Sequence, residues 1–199
     1  KRRSSNHAPM SGKDFGELVL VLGDAHIPHR GAFIPEKFQR MLVPNKMQHV
    51  VCTGNLSTRE QYDEIRALAP NIHVVAGDFD EGLSFPEHKV VKIGRFRIGV
   101  VHGHQIVPWG DQRALATYQR KLDVDILVTG HTHKNEVNEF DGKWFINPGS
   151  ITGAYSSIQA EVTPSFILLA IQGNKVVTYV YELHGDNVEV SKSEFTKAA

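Results

Sequence analysis

Seven side chains that commonly bind divalent metal ions follow apolar segments of this sequence in a fixed order, most of them beside a glycine. They are Asp24, His26, Asn55, Asp78, His102, His131 and His133. A mixed set of carboxylate, amide and imidazole donors suits borderline or hard ions such as Zn²⁺ or Mn²⁺. The pattern therefore predicts one divalent-metal site built from these seven residues.

The order of the series carries this prediction, because each piece alone is common by chance. The strongest single piece is Gly130-His131-Thr132-His133, in which two imidazoles two residues apart can reach one pocket. Isolated histidines at strand ends are more often hydrogen-bonded structural residues. That interpretation applies to His7, His29, His49, His73, His88 and His184.

Strands and helices alternate in the first half of the chain. Thr58 and Gln61 resemble a capping box, and Pro44 and Pro70 end helical segments. Strands are predicted at 18–22, 49–53 and 72–76, with helices at 36–43 and 59–69. A βαβαβ order requires a parallel sheet, and strand ends in such sheets gather side chains into one pocket.

The second half is mostly strands. A helix is predicted at 111–122, and strands at 89–93, 95–101, 125–129, 135–140, 144–146, 165–172, 175–184 and 187–191. Parallel units followed by hairpins predict an α/β fold, a four-layer α/β-β/α sandwich of two mixed sheets flanked by helices. We expect a single domain over 17–199, preceded by a polar, disordered leader at 1–16.

Composition and charge argue against several classes of function. Lys and Arg number 22, and Asp and Glu also number 22, so no basic field is available to hold nucleic acid or anionic membrane. No apolar run approaches the ~20 residues that a membrane span needs. The single Cys52 lies in a strand-like run and indicates a reducing compartment. We therefore expect a cytoplasmic protein.

The ordered segments resemble the calcineurin-type metallophosphoesterase superfamily, whose sandwich of two mixed sheets carries a dinuclear metal centre. Its segments are Asp-x-His, Gly-Asp, Gly-Asn-His-Asp/Glu, His and Gly-His-x-His. The matching residues are Asp24, His26, His102, His131 and His133. Three positions depart from the pattern: Asn55 replaces the bridging aspartate, Asp78 the asparagine, and Phe79 the histidine that follows it.

These departures predict a poor phosphatase that still binds metal. Two divalent ions about 4 Å apart need an anionic bridge, and the neutral amide of Asn55 bridges poorly. Asp78 restores the number of carboxylates at a different position. The ring of Phe79 cannot protonate a leaving alkoxide, a contribution of roughly 10²–10⁴-fold. Asp80 then lacks an imidazole to orient, so we expect it to be a surface or capping carboxylate.

From about Leu18 to Phe195 the chain is similar to a narrower family, the metallophosphoesterase-like subunits of retromer. The segments that carry this similarity are 20–30, 52–56, 77–81, 102–111, 130–134, 147–150, 153–155 and 177–181. The three departures are typical of that family. The resemblance implies a non-catalytic scaffold subunit for endosome-to-Golgi retrograde transport, cytoplasmic and peripheral on endosomes, that reaches membranes only through its complex.

The resemblance also implies two partner surfaces. The metal-pocket face would bind a large helical-solenoid scaffold subunit, for which Ile106, Val107 and Trp109 are candidates, unless their loop folds back on the core. A hydrophobic patch on the opposite side would recruit regulators such as a Rab GTPase-activating protein. Residues 166–171 are apolar on both strand faces, so either both faces are covered or one docks a partner; the resemblance favours Leu168 and Tyr181 for the patch.

Two other functions make different demands on the sequence. An active metal-dependent phosphoesterase acting on a small phosphate ester would want a histidine at position 79 and an aspartate at position 55. A nuclease-like relative would want a basic groove and an added capping domain. The balanced charge and the 199-residue length argue against the nuclease. The non-catalytic binding function is favoured.

Overall fold

The computed structural model describes residues 16–197, so the predicted leader lies outside the described residues except for Gly16. Within that range the helices are α1 (Glu36–Met41), α2 (Arg59–Arg66) and α3 (Gln112–Leu122). The strands are β1 (Glu17–Leu22), β2 (His49–Cys52), β3 (Asn71–Val74), β4 (His88–Ile93), β5 (Phe96–Val101), β6 (Ile126–Val128), β7 (Asn135–Phe140), β8 (Lys143–Pro148), β9 (Ser165–Gln172), β10 (Lys175–His184) and β11 (Asn187–Thr196). Every predicted element is present; the largest difference is at β11, which is longer than predicted.

The strands form two mixed sheets. One has the order β11-β10-β9-β1-β2-β3, and the other has the order β4-β5-β6-β8-β7. The pairs β1–β2, β2–β3, β5–β6 and β6–β8 are parallel, and the remaining pairs are antiparallel. The predicted α/β class with two mixed sheets is confirmed.

Three apolar clusters separate four layers. The central cluster fills the space between the sheets and includes Val21, Ile98 and Leu169. A second cluster joins the outer face of the six-stranded sheet to α1 and α2 and includes Leu20, Phe38 and Ile65. A third covers the five-stranded sheet with α3. The helix–sheet–sheet–helix order predicted from the sequence is confirmed.

Side-chain caps fix where two of the helices begin. Thr58 Oγ1 accepts a hydrogen bond from Gln61 N at 3.3 Å at the start of α2, which confirms the predicted cap. Asp111 Oδ1 accepts from Ala114 N at 2.8 Å at the start of α3. None of the helices in the described part of the chain is long and apolar enough to cross a membrane.

The loops after β1, β2, β3, β5 and β6 meet at one end of the sandwich. Three of these loops pack closely at Gly130, where an added Cβ would lie 2.6 Å from both Asp24 Oδ2 and Thr53 Oγ1. A side chain at position 130 would therefore clash with the loops that carry Asp24 and Thr53. Cys52, on the strand before one of them, is buried, and burial raises the pKa of its thiol.

Candidate metal centre

All seven predicted site residues lie in these loops, at the carboxyl ends of parallel strands. Five have left-handed backbone: Asp24 (φ 50°), His26 (φ 48°), Asn55 (φ 56°), His131 (φ 68°) and His133 (φ 61°). Asp, Asn and His are the non-glycine residues that enter this region most readily. Backbone bonds hold the first two loops together, since Asp24 N donates to Gly54 O at 3.0 Å and His26 N donates to Asn55 O at 2.9 Å.

The first group of potential ligands is a buried triad of Asp24, His26 and His133. The Nε2 atoms of the two histidines lie 3.2 Å apart. Asp24 Oδ1 lies 3.7 Å from His26 Nε2 and 3.4 Å from His133 Nε2. Three donor atoms that converge at these distances can share one ion.

The second triad is formed by Asp78, His102 and His131. Asp78 Oδ1 lies 3.0 Å from His102 Nε2 and 3.8 Å from His131 Nδ1. The side chain of His102 is fully buried, whereas that of Asp78 is 28% exposed, so this triad reaches solvent. Asp24 Oδ1 also lies 3.8 Å from His102 Nε2. The carboxylate of Asp24, a member of the first triad, therefore also lies close to the second triad.

Backbone carbonyls orient two of the imidazoles. His102 Nδ1–H donates to Thr53 O at 2.7 Å, and His133 Nδ1–H donates to Ala154 O at 2.6 Å. A proton on Nδ1 leaves the lone pair of Nε2 directed into the site, as a metal ligand requires. Each triad offers one carboxylate and two imidazoles, so the residues present fit a divalent ion such as Zn²⁺ or Mn²⁺.

Mutual electrostatics keep both carboxylates ionised. Burial alone would raise the pKa of Asp24, but His102, His133 and His26 together hold it well below its usual range. The pKa of Asp78 is lowered in the same way, since its contacts with His102 and Asn55 outweigh the effect of burial. Asp24 and Asp78 raise the pKa of His102 despite its burial. Burial and the neighbouring His102 lower the pKa of His131 to about 4.

The amide of Asn55 occupies the space between the triads with its nitrogen facing them. Its Oδ1 accepts from Phe79 N at 2.9 Å, which fixes the orientation of the amide. Its Nδ2 donates to Asp78 Oδ1 at 2.9 Å and to Asp24 Oδ1 at 3.3 Å. For Asn55 to bind an ion through oxygen, as the sequence predicts, the amide must turn and release the bond from Phe79.

Phe79 and Asp80 define the third loop of the site. The ring of Phe79 is 46% exposed and meets the ring of His26 edge-on at 5.4 Å. Asp80 is buried and accepts from Asn55 N at 2.7 Å, Gly77 N at 2.8 Å and Ser57 N at 3.0 Å. The predicted surface position is wrong, because three backbone N–H groups of the loops hold its carboxylate inside.

A cavity of about 270 Å³ opens over the two triads. Its wall contains four residues to which the sequence analysis assigned no role: Arg30, His104, Ser156 and Ser157. Arg30 and His104 lie in segments that carry the family resemblance, but their residue types alone indicate no function. Ser156 and Ser157 lie in a loop with no metal-ligand signal, so only the fold brings them here.

The loop at 106–109 forms part of the rim of this cavity. Val107 is 72% exposed, and Trp109 is 42% exposed and lines the cavity. The indole N–H of Trp109 donates to His104 O at 3.0 Å, and its ring lies 4.4 Å from that of His131. Ile106 is only 5% exposed and packs in the α3 layer. In this structure the side chain of Ile106 therefore offers little surface to a partner, and the predicted partner contact of this loop stays a prediction.

Leu168 and Tyr181 lie on the outer face of the six-stranded sheet, away from the metal-ligand loops. The ring of Tyr181 stacks on that of Phe166 with centroids 4.6 Å apart. Both predicted residues are partly exposed and line a cavity of about 320 Å³ beside Met41 and Met47. The opposite face of this strand is covered by the inter-sheet core, so only the outer face is open for docking.

Comparisons with known proteins agree with this geometry. Residues 18–174 match the calcineurin-like phosphoesterase superfamily domain. Vacuolar protein sorting-associated protein 29 of Schizosaccharomyces pombe is 38% identical over 184 residues, which cover 90% of this chain and 98% of that one. The chain belongs to the vacuolar protein sorting 29 family of calcineurin-like phosphoesterases.

Two solved structures of vacuolar protein sorting 29 proteins are similar to this structure. The Cryptosporidium parvum protein is 46% identical with a TM-score of 0.90, covering 92% of this chain and 100% of that one. The Entamoeba histolytica protein, solved in complex with Zn²⁺, is 53% identical with a TM-score of 0.85, covering 89% and 98%. A member of the family thus binds zinc.

Proposed function

We propose that this protein is the metallophosphoesterase-like subunit of retromer and serves endosome-to-Golgi retrograde transport as a non-catalytic scaffold. The observation that carries the proposal is an assembled pair of metal-ligand triads with Phe79 where a phosphoesterase needs a proton donor. Membership of the vacuolar protein sorting 29 family supports it. The protein acts on the cytoplasmic side of endosomes and reaches the membrane through its complex.

The pocket retains a divalent-metal site, for Zn²⁺ or Mn²⁺, as part of a binding surface. Ions in the triads would be held by Asp24, His26 and His133 and by Asp78, His102 and His131. When bound, such ions polarise an oxygen ligand and can activate water. The chain supplies no titratable group at position 79 to complete that chemistry.

Two surfaces engage protein partners. Val107 and Trp109 bind the large helical-solenoid scaffold subunit of retromer beside the metal pocket, since both side chains are exposed and Trp109 lines the pocket. Leu168 and Tyr181 bind regulators, such as a Rab GTPase-activating protein, on the outer face of the six-stranded sheet. The two sites lie on different surfaces, so one subunit can hold both partners.

An assay with an activated aryl phosphate and excess Mn²⁺ or Zn²⁺ separates this function from its alternative, an active phosphoesterase. The assembled triads are what favour that alternative. We expect little turnover by the wild-type protein and an increase of about tenfold or more in Phe79→His, since a general acid is worth roughly 10²–10⁴-fold. Robust wild-type hydrolysis that Asp24→Ala abolishes would reject the non-catalytic function.

Substitution of Val107 tests the scaffold contact. Val107→Asp places a charge on a side chain that is 72% exposed in the loop of Trp109, so it should weaken binding to the purified scaffold subunit without lowering the unfolding midpoint. Val90→Asp is the matched control, because Val90 is an exposed valine (39%) on β4. If the scaffold subunit captures wild type and Val107→Asp equally well, the loop at 106–109 is not part of the interface.

A further inference from the structure

Arg30 stands at the mouth of the metal pocket between two aromatic rings. Its guanidinium carbon lies 4.4 Å from the ring centroid of Phe79 and 5.2 Å from that of Tyr155. Nη1 also donates to Tyr155 O at 3.4 Å. Stacking on two rings and one carbonyl bond holds the guanidinium in place before any ligand arrives.

The charge of Arg30 has no carboxylate partner within residues 16–197. Glu81 lines a cavity with Arg30 but forms no ion pair with it. Asp24 and Asp78 are engaged by histidines and by the amide of Asn55. A pre-ordered guanidinium therefore faces an open cavity with its hydrogen-bonding fork largely unused.

Exposed apolar side chains surround this charge. Phe79 (46% exposed) and Tyr155 (53%) contact Arg30, and Trp109 (42%) lines the same cavity. Such a rim excludes water from a central polar contact when a protein surface covers it, which is the arrangement of an interface hot spot. A small phosphate ester in the pocket would bind the same guanidinium but would leave the rim uncovered.

We propose that Arg30 receives the carboxylate of an aspartate or glutamate side chain of the protein partner that docks on the metal-pocket face. This inference rests on the proposed function, which supplies a large partner for that face. The planar fork of arginine matches a carboxylate with two parallel hydrogen bonds. Because Arg30 is already ordered, little conformational entropy is lost on binding.

The test measures affinity for the purified retromer scaffold subunit by calorimetry at low and high salt. Arg30→Gln should weaken binding by about 30-fold or more, since the partner's carboxylate is left desolvated and unpaired. It should also reduce the salt dependence of the dissociation constant. Arg30→Lys should be intermediate, because lysine keeps the charge and loses the fork.

Arg59→Gln is the matched control. Arg59 also stacks on an aromatic ring, that of Tyr62, but it already pairs with Asp63 at 3.3 Å in the same chain. The affinity of the Arg59→Gln variant for the scaffold subunit should stay within about twofold of wild type. The unfolding midpoints of all variants are measured beside the affinities, so a folding defect is recognised.

The outcomes separate the inference from the function on which it rests. If wild type binds the scaffold subunit and Arg30→Gln binds equally well, the inference is overturned and the proposed function stands. If inorganic phosphate binds wild type but not Arg30→Gln while scaffold affinity is unchanged, Arg30 is a phosphate site and the inference is again overturned. Failure of the wild type to bind the scaffold subunit rejects the proposed function as well.

Discussion

The amide nitrogen of Asn55 takes the space between the two metal-ligand triads and donates to one carboxylate from each. This places a hydrogen-bond donor where an ion would otherwise neutralise the same charges. An entering ion must therefore compete with the Asn55 NH₂ group as well as with water. The residue type at position 55 thus affects both the stability of the metal-free protein and its metal affinity.

Asn55→Asp tests this competition. In the metal-free variant, the new carboxylate would lie beside those of Asp24 and Asp78, and the NH₂ group that now donates to both would be lost. This should lower the free energy of unfolding by about 2 kcal/mol or more. Added Mn²⁺ or Zn²⁺ should then raise the unfolding midpoint by more in the variant than in wild type, since binding to the folded state stabilises it. Thermal unfolding with chelator and with excess metal measures both effects.

Asn138→Asp is the control for this measurement, because Asn138 is an exposed asparagine on β7. It should change neither the stability without metal nor the response to metal. An Asn55→Asp protein that gains no more from metal than wild type does would contradict the assigned role of the amide.

The sequence predicted which residues meet but not how they meet. Spacing and strand ends were sufficient to bring Asp24, His102 and His133 into one site, since parallel strands share an edge. The orientation of the Asn55 amide depends on one bond from Phe79 N, which no residue pattern encodes. The position of Arg30 depends on Tyr155, a residue 125 positions away, so sequence spacing gave it no role.

Strand β11 shows where element prediction fails. The sequence predicts a strand at 187–191, whereas β11 runs from Asn187 to Thr196. Its second half is polar because it is an edge strand with mostly exposed side chains, and it lacks the apolar periodicity that a prediction needs. Its register with β10, rather than its own pattern, makes it a strand.

Phe195 connects this edge strand to the other sheet. Its ring stacks on that of Trp144 with centroids 4.4 Å apart and meets Phe96 edge-on at 6.4 Å. Phe195→Ala should lower the free energy of unfolding by about 2 kcal/mol, since it removes a partly buried aromatic contact. Urea denaturation measures the loss.

Glu189→Ala, at an exposed position of the same strand, serves as the control and should stay within about 0.5 kcal/mol of wild type. Equal stabilities for Phe195→Ala and Glu189→Ala would show that β11 contributes little to joining the sheets.

At the scale of the whole molecule, the two sheets share one core. The central cluster takes side chains from both sheets, including Val51 and Ile146. Neither sheet can unfold alone without exposing the apolar face of the other. Together with the described elements, this supports the proposal that residues 17–199 form a single domain.

A single cooperative unfolding transition is the expected result. The Trp109→Phe variant leaves Trp144 as its only tryptophan, and Trp144 is part of the inter-sheet cluster. Its fluorescence and the far-ultraviolet circular dichroism should then change at the same urea concentration. Two separated transitions would instead divide the chain into independently stable parts.

The left-handed backbone of five site residues has a consequence for how such motifs persist. A β-branched or bulky residue at these positions adds strain of about 1–3 kcal/mol, so the loop conformation itself disfavours such replacements of Asp, Asn and His. A lineage that gave up hydrolysis would thus keep most of the phosphoesterase signature for the sake of its fold. Phe79 is under no such backbone constraint. In a genome survey of relatives, we therefore expect position 79 to vary more freely than the five left-handed positions.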